Sequence, residues 1–384
     1  MNFKGDIKSK LPKAGTTIFA IMSGLANEHK AINLSQGFPN FPVSEALISL
    51  VNQHMRHGAN QYAPMPGILP LRERIAEKIE KLYTAKYNPD TEITITAGGT
   101  QAIFTAINAV IKEGDEVIIF DPAYDSYAPS VMLAGGMPIH YDLKAPDYAI
   151  EWNTVKKLIT KQTRMIMINT PHNPTGAILT AKDMMQLEKL TNGSNIIVLS
   201  DEVYEHIIFD GYEHQSVCRF PKLAERSFVI YSFGKTFHAT GWKTGYVLAP
   251  ENLMTEFRRV HQFNVFAANT PLQHAFADFM KDGNNYAGLD KFYQSKRDRF
   301  QQLIATSRFK IMPCFGSYFQ LLDYSAITNE KDTEYAIRLT KEKGVASIPV
   351  SVFYQRGVDN KLLRFCFAKD DETLERAAEK LCKI

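Results

Sequence analysis

The sequence predicts an α/β protein: a mostly parallel seven-stranded sheet in a large domain, with a smaller α+β domain beside it. Three observations carry that expectation. Between about Thr91 and Pro250, short β-branched apolar runs alternate with amphipathic helical stretches. Strands covered on both faces read as continuous apolar runs, and alternation with helices is the pattern of a parallel sheet. After about Gly283 the chain turns to charged helical stretches with only two strand-like runs. The length of 384 residues exceeds what one small core needs and suits a large domain with a companion.

Taken in order, TTIFAIMSGLA (16–26) follows Lys4, Lys8, Lys10 and Lys13 and faintly mimics a secretory leader. Thr, Ser and Gly interrupt it, and it reads as a mature N-terminal helix. No run approaches the roughly 18 apolar residues of a membrane span. The expected strands of the large sheet are EITIT (92–96), EVIIF (116–120), MPIHY (137–141), RMIMIN (164–169), NIIVLSD (195–201) and SFVIYS (227–232), with GYVLA (245–249) as an added edge strand. Helical stretches such as QAIFTAINAVIKEG and AKDMMQLEKLTNG lie between them. The second unit has strands near SYFQLLD (317–323) and KLLRFCFAK (361–369). The expected division is a large domain over 43–282 and a small one made of 1–42 and 283–384. No repeat or low-complexity segment is present.

Composition narrows the partners. A net charge of +3, with no block of like charges, points away from nucleic acid and anionic membrane. Cys218, Cys314, Cys366 and Cys382 form no CxxC pair and have no zinc-ligand spacing, so they read as reduced thiols of a cytoplasmic protein.

In an open parallel sheet, ligands bind beyond the carboxyl ends of the strands. The polar motifs of this chain fall there. TAGGTQAIF (96–104) places Gly98 and Gly99 before a helix starting near Thr100, whose free N–H groups suit an anion; a bare turn has the same sequence. DPAYDSY (121–127) brings Tyr124 to the edge, where it would stack on a flat ligand or pack into a loop. TPHNPTG (170–176) carries Asn173 before a proline in a tight turn, with a cis bond as one way to aim the amide. In DEVYEH (201–206), strand alternation puts Asp201 and Val203 on one side and Glu202 on the other. A carboxylate there needs a cationic partner, which a protonated ring nitrogen would supply; capping of a following helix is the alternative.

SFVIYS then enters SFGKTFHATGWKTGY (232–246). Lys235 sits among small and aromatic residues, where desolvation lowers an amine's pKa and allows a Schiff base. Lys243, eight residues on, is a candidate phosphate partner beside Ser232. Arg364, inside the apolar LLRFCFAK, needs an anion: a substrate carboxylate and an internal salt bridge serve equally well.

NPTG, DEVY and SFGKTFHATGWKTGY, in that order and spacing, resemble the class I aminotransferases of fold type I, the aspartate aminotransferase fold. The resemblance runs from LSQGFPNFP (34–42) to RFCFAK (364–369) and is closest to the branch of methionine and kynurenine aminotransferases, for which QYAPMPGILPLR is typical. It implies pyridoxal 5′-phosphate bonded to Lys235, Asp201 on the ring nitrogen, Tyr204 and Asn173 on the ring oxygen, and Tyr124 stacked on the ring. It further implies the backbone of Gly99, Thr100 and Gln101, with Ser232 and Lys243, on the phosphate. Tyr62 would reach the phosphate of a neighbouring subunit, which implies a homodimer with shared sites. Arg364, Asn173 and the backbone near Gly37 would hold the substrate. Two positions depart from the common pattern: Lys243 where arginine is frequent, and Tyr124 where Trp or Phe is frequent.

The implied reaction is ping-pong transfer of an amino group from an L-amino acid to a 2-oxo acid, with Lys235 as base and then acid. The same chemistry can instead expel a β-leaving group, which leaves a carbon–sulfur β-lyase as the alternative. A cofactor-sensing module of a transcription regulator is a further reading, against which no DNA-binding segment precedes LSQGFP. Arg56, Arg72 and Arg74 flank QYAPMPG without marking a site for a second carboxylate. Phe263 and Phe266, in the interface-like HQFNVFAANTP, favour methionine, aromatic amino acids, kynurenine or glutamine over aspartate.

Overall fold

The structure, a computed structural model, describes residues 1, 3–12 and 14–384, so Lys13 of the basic N-terminal segment lies outside the described residues. The large sheet contains β1 (Ile93–Thr96), β2 (Glu116–Asp121), β3 (Met137–Asp142), β4 (Thr163–Asn169), β5 (Ile197–Asp201), β6 (Ser227–Ser232) and β7 (Gly245–Leu248). Their spatial order is β1-β7-β6-β5-β4-β2-β3. Strands β2 to β6 run parallel, and β7 runs antiparallel to both neighbours.

One expectation is corrected. GYVLA does not form an edge; it lies between β1 and β6. The chain from Ser232 to Gly245 holds only short helical turns. A crossover to a parallel strand runs back along a sheet face, usually as a helix, whereas these turns keep the chain at the carboxyl edge and it folds back antiparallel. Its side chains are buried because both faces of the sheet are covered, with Tyr246 and Leu248 in one core and Val247 in the other. The edges are β1 and β3.

Alternate residues of these strands feed two cores. Ile118, Phe120, Ile166, Ile168 and Val198 face one side of the sheet, while Val117, Ile119, Met165, Met167 and Leu199 face the other. On the second side lies α1 (Gly99–Val110), with Ala102, Ile103, Ala106 and Ile107 buried against the sheet. A four-stranded antiparallel sheet is built by β8 (Lys310–Ile311), β9 (Phe319–Asp323), β10 (Ile348–Pro349) and β11 (Leu362–Cys366), in the order β10-β11-β9-β8. Its core gathers Phe319, Leu322, Phe365 and Leu374, together with Met22 of the N-terminal helix Ile18–Glu28, Leu34, and Tyr204 and Ile207 just beyond β5. The segment after β5 therefore packs against the second sheet.

Register decides what meets at the cleft. Asn169 pairs with Asp201 across β4 and β5, and Ser232 pairs with Gly245 across β6 and β7. Thr96 pairs with Gly245 as well. The ends of β1, β4, β5 and β6 thus lie along one carboxyl edge.

Candidate active site

At that edge a cavity of about 240 Å³ opens between the two sheets. One end suits an anion. Gly98, at φ +85°, turns the chain from β1 into α1, whose first N–H groups have no intrahelical partner. A Cβ on Gly99 would come within 3.1 Å of Val203 Cγ1, so glycine keeps the floor open. The Thr100 hydroxyl lies 3.4 Å from that of Tyr124. Ser232 and Lys243 complete this end.

The middle of the cavity holds Asp201, 4% exposed. Its Oδ2 accepts from the Tyr127 hydroxyl at 2.5 Å and its Oδ1 from the Val203 N–H at 3.3 Å. No helix follows directly, so the acid does not act as a helix cap. Burial pushes its pKa up to about 6, against the pull of Tyr127, Val203 and Lys235. Asn169 ties the strand ends together: its amide donates to the Asp201 carbonyl at 2.8 Å and its oxygen accepts from the Asn173 N–H at 2.9 Å.

Lys235 sits in the short helix Phe233–Thr236 that follows β6. Burial brings its amine down to about 8, with the positive charges of Arg364 and Lys243 acting in the same direction against Cys366 and Asp201. Its Nζ donates to the Gly37 carbonyl at 3.1 Å and to the Tyr318 hydroxyl at 2.8 Å.

Arg364 closes the far end at 1% exposure, its guanidinium carbon 3.9 Å from the centre of the Phe319 ring. Nη1 donates to Asn173 Oδ1 at 2.8 Å and Nη2 to the Ser35 carbonyl at 2.9 Å. Its Nε is buried without a partner, and among the described residues no carboxylate bonds to the guanidinium. The internal salt bridge is therefore not what this arginine makes. Because its oxygen is committed to Arg364, Asn173 has its NH2 group left for a ligand. The Asn173–Pro174 bond is cis.

Of the residues expected from the sequence to hold cofactor or substrate, all but Gln101 and Tyr62 line this one cavity, whereas Phe263 and Phe266, expected to favour uncharged substrates, are exposed and do not line it. Gln101 turns its side chain inward, to the Ala97 N–H at 3.0 Å and Thr105 Oγ1 at 2.6 Å, so only its backbone N–H is available at the helix start. Tyr62 is 83% exposed and packs edge-on against Phe266 at 5.1 Å. Arg72 and Arg74 are committed elsewhere, to the Gly67 carbonyl and to Glu77. Sequence reasoning missed Tyr127, Asn169 and Tyr318. Tyr127 follows Tyr124 by one turn, its N–H donating to the Tyr124 carbonyl at 3.1 Å and its ring edge-on to that of Tyr124 at 5.7 Å. Asn169 is the polar residue closing an apolar strand. Among the described residues, no cluster of three or more His, Cys, Asp or Glu could hold a metal ion, and no helix is long and apolar enough to cross a membrane.

With this geometry in hand, comparison with known proteins gives consistent results. The family described as aminotransferase class I and II matches residues 29–381. Methionine aminotransferase of Escherichia coli K12 is 48% identical over 98% of this chain and 98% of its own. Human kynurenine–oxoglutarate transaminase 1 is 33% identical over 94% of this chain and 93% of its own. A crystal structure from Escherichia coli, described as identifying a methionine aminotransferase function, superposes with a TM-score of 0.97 at 47% identity, covering 99% of this chain and all of that one.

Proposed function

Because this chain belongs to the class I and II aminotransferase family and is an aminotransferase, we propose that it carries pyridoxal 5′-phosphate on Lys235 and takes amino groups from L-amino acids with uncharged side chains, methionine foremost. The observation that carries this reading is the buried Lys235 amine, brought to about 8, in one cavity with the α1 N-terminus and an unpaired arginine Nε.

The residues fit that cofactor. The N–H groups at Gly99, Thr100 and Gln101, with Ser232 and Lys243, would hold the phosphate. Tyr124 would cover one ring face and Val203 the other, while Asn173 and Tyr204 would reach the ring oxygen. Asp201 would keep a proton on the ring nitrogen. Bound there, pyridoxal phosphate supplies an aldehyde for the amino group and a protonated ring that accepts the electrons left by a departing proton.

The chain's own groups do the rest. Arg364 Nε, with the Gly37 backbone, orients the substrate α-carboxylate. Lys235 Nζ takes the proton from the substrate α-carbon and later returns one, as base and then acid. Three cations line the cavity among the described residues, namely Lys235, Lys243 and Arg364, and each has a task already. None is left for a second carboxylate, whereas Phe19, Ile103 and Phe319 offer apolar wall. That combination supports methionine, aromatic amino acids, kynurenine or glutamine over aspartate. Three exposed aromatic side chains, Tyr62, Phe263 and Phe266, support a homodimer with shared sites. The four unpaired thiols support a cytoplasmic setting.

Borohydride reduction of the loaded protein is expected to fix the cofactor on the peptide containing Lys235. A panel of donors against several 2-oxo acids is expected to rank methionine above aspartate, with the parallel-line kinetics of a ping-pong enzyme. Aspartate turning over much faster than methionine overturns the substrate assignment. Pyruvate released from a cysteine conjugate without a 2-oxo acid acceptor reveals β-elimination instead.

A further inference from the structure

We propose that the Tyr318 hydroxyl and the Gly37 carbonyl form a two-oxygen cradle for the Lys235 amine, which makes Tyr318 a positioning residue of the reaction. Lys235 Nζ donates to both oxygens, at 2.8 Å to Tyr318 and 3.1 Å to Gly37. Tyr318 directs its own proton to the same Gly37 carbonyl at 2.5 Å. With that proton committed, its oxygen can only accept from the amine. The three groups close a ring of hydrogen bonds in which every role is set.

A neutral amine has two N–H donors and one lone pair, so the two oxygens take both donors and leave the lone pair for a proton. Protonated, the amine keeps both bonds and makes them more strongly, with its third N–H bonded to no acceptor among the described residues. The cradle is also stiff. Tyr318 is fully buried, edge-on to Tyr204 at 5.0 Å and to Phe319 at 4.9 Å. A Cβ on Gly37 would lie 2.8 Å from the Phe319 ring, so only glycine brings its carbonyl this close. The charged and titratable groups around Lys235 are Asp201, Arg364, Lys243, Cys366, Tyr204 and Tyr318. Tyr318 is the one whose oxygen touches the amine directly in this arrangement.

The inference rests on Lys235 being the cofactor-bearing base. Its test uses the full-length protein loaded with pyridoxamine 5′-phosphate, the amine form of the cofactor, to which Lys235 is not bonded. Competitive labelling with acetic anhydride across a pH series, quantified on the Lys235 peptide by mass spectrometry, reads the amine's titration midpoint. In wild type it is expected near 8. Tyr318→Phe keeps the ring and removes one oxygen. Because an acceptor favours an ammonium more than an amine, the midpoint is expected to fall by about half a unit to one unit. The looser base is expected to lower kcat about tenfold with KM held within about twofold. Tyr318→Met, flexible enough to refill the space, removes the same oxygen and is expected to move the midpoint the same way should Tyr318→Phe fail to accumulate. A lower melting temperature with an unmoved midpoint and kcat overturns the proposal, leaving Tyr318 only structural. Borohydride treatment of wild type separates the two failures. No cofactor on Lys235 sinks the assignment of Lys235, whereas cofactor on Lys235 with an unmoved variant midpoint sinks only the cradle.

Discussion

The end of β5 sends charge to both faces of the sheet, and the two faces treat it differently. Asp201 enters the cleft, while Glu202 and, three residues later, Glu205 go behind it. All three are nearly or fully buried. Behind the sheet every carboxylate oxygen is met. Glu202 accepts from Ser200 at 2.8 Å, the Val217 N–H at 2.9 Å and the Tyr231 hydroxyl at 3.0 Å, with His214 Nε2 at 2.9 Å. Glu205 accepts from Lys78 and, at 2.6 Å, from the Tyr83 hydroxyl. Burial works to raise Glu205, but Lys78, His206 and Tyr83 together hold it below the usual carboxylate value. In the cleft the balance is reversed. Burial wins at Asp201 and at Lys235, moving one up and the other down, and Arg364 keeps a buried Nε unpaired. For the carboxylates, burial is common to both regions and compensation is not; the unmet atoms behind the sheet include the imidazole nitrogens His206 Nε2 and His214 Nδ1. Groups held away from their preferred charge state in a cleft are primed for a ligand, whereas fully paired groups hold a fold together.

The sharpest way to break this comparison is to remove one cation from each side. Lys235→Ala is expected to lower turnover by more than about 10⁴-fold, roughly 5.5 kcal/mol in barrier, while the cofactor-free protein melts no lower than wild type. Near-normal activity would remove Lys235 from the chemistry. Lys78→Met is expected to do the opposite. It leaves Glu205 buried beside the Tyr83 hydroxyl without its cation, which costs about 3–5 kcal/mol of stability in urea unfolding. Turnover per folded molecule should change little. A Lys78→Met protein as stable as wild type would show that the rear pair is not compensated as described.

The cleft was largely legible in the sequence and the rear network was not, for a physical reason. Strands covered on both faces announce themselves as apolar runs, and a polar residue just past such a run has few places to go but the carboxyl edge. Asp201, Asn173 and Lys235 were readable on that basis. The position of β7 was not, because its apolar run says it is buried but nothing local says which strands cover it. Lys78 lies on the buried stripe of the helix Leu69–Tyr83, with Leu71, Ile75 and Ile79. Helical spacing thus marks it as buried, yet its partner Glu205 stands 127 residues away. Tyr318 gives no signal at all. It follows Ser317, held at φ +62°, and touches Lys235 and Gly37 only once the two sheets face each other.

The smallest expected effect tests the comparison from the cleft side. Burial holds the Asp201 acid up at about 6 in the folded protein, above the ordinary carboxylate value of about 4. Its folded pKa is therefore raised, so the folded state binds the proton more tightly than the unfolded chain does. Stability from this group is fully present below about pH 4 and is lost as the pH rises through 6. Asp201→Asn keeps the shape and an acceptor for Tyr127 but has no charge to bury. The cofactor-free variant is therefore expected to be about 1–3 kcal/mol more stable than wild type at pH 8, with the gain fading as the pH falls from 6 to 4. Loaded with cofactor, the same variant is expected to lose most of its rate, since a neutral amide holds the ring proton poorly. A stability gain that persists unchanged at pH 4 would mean the charge of Asp201 is not what the fold opposes. No gain at pH 8 would mean the cleft compensates its carboxylate as fully as the rear face does, and the distinction between the two faces of β5 would fall.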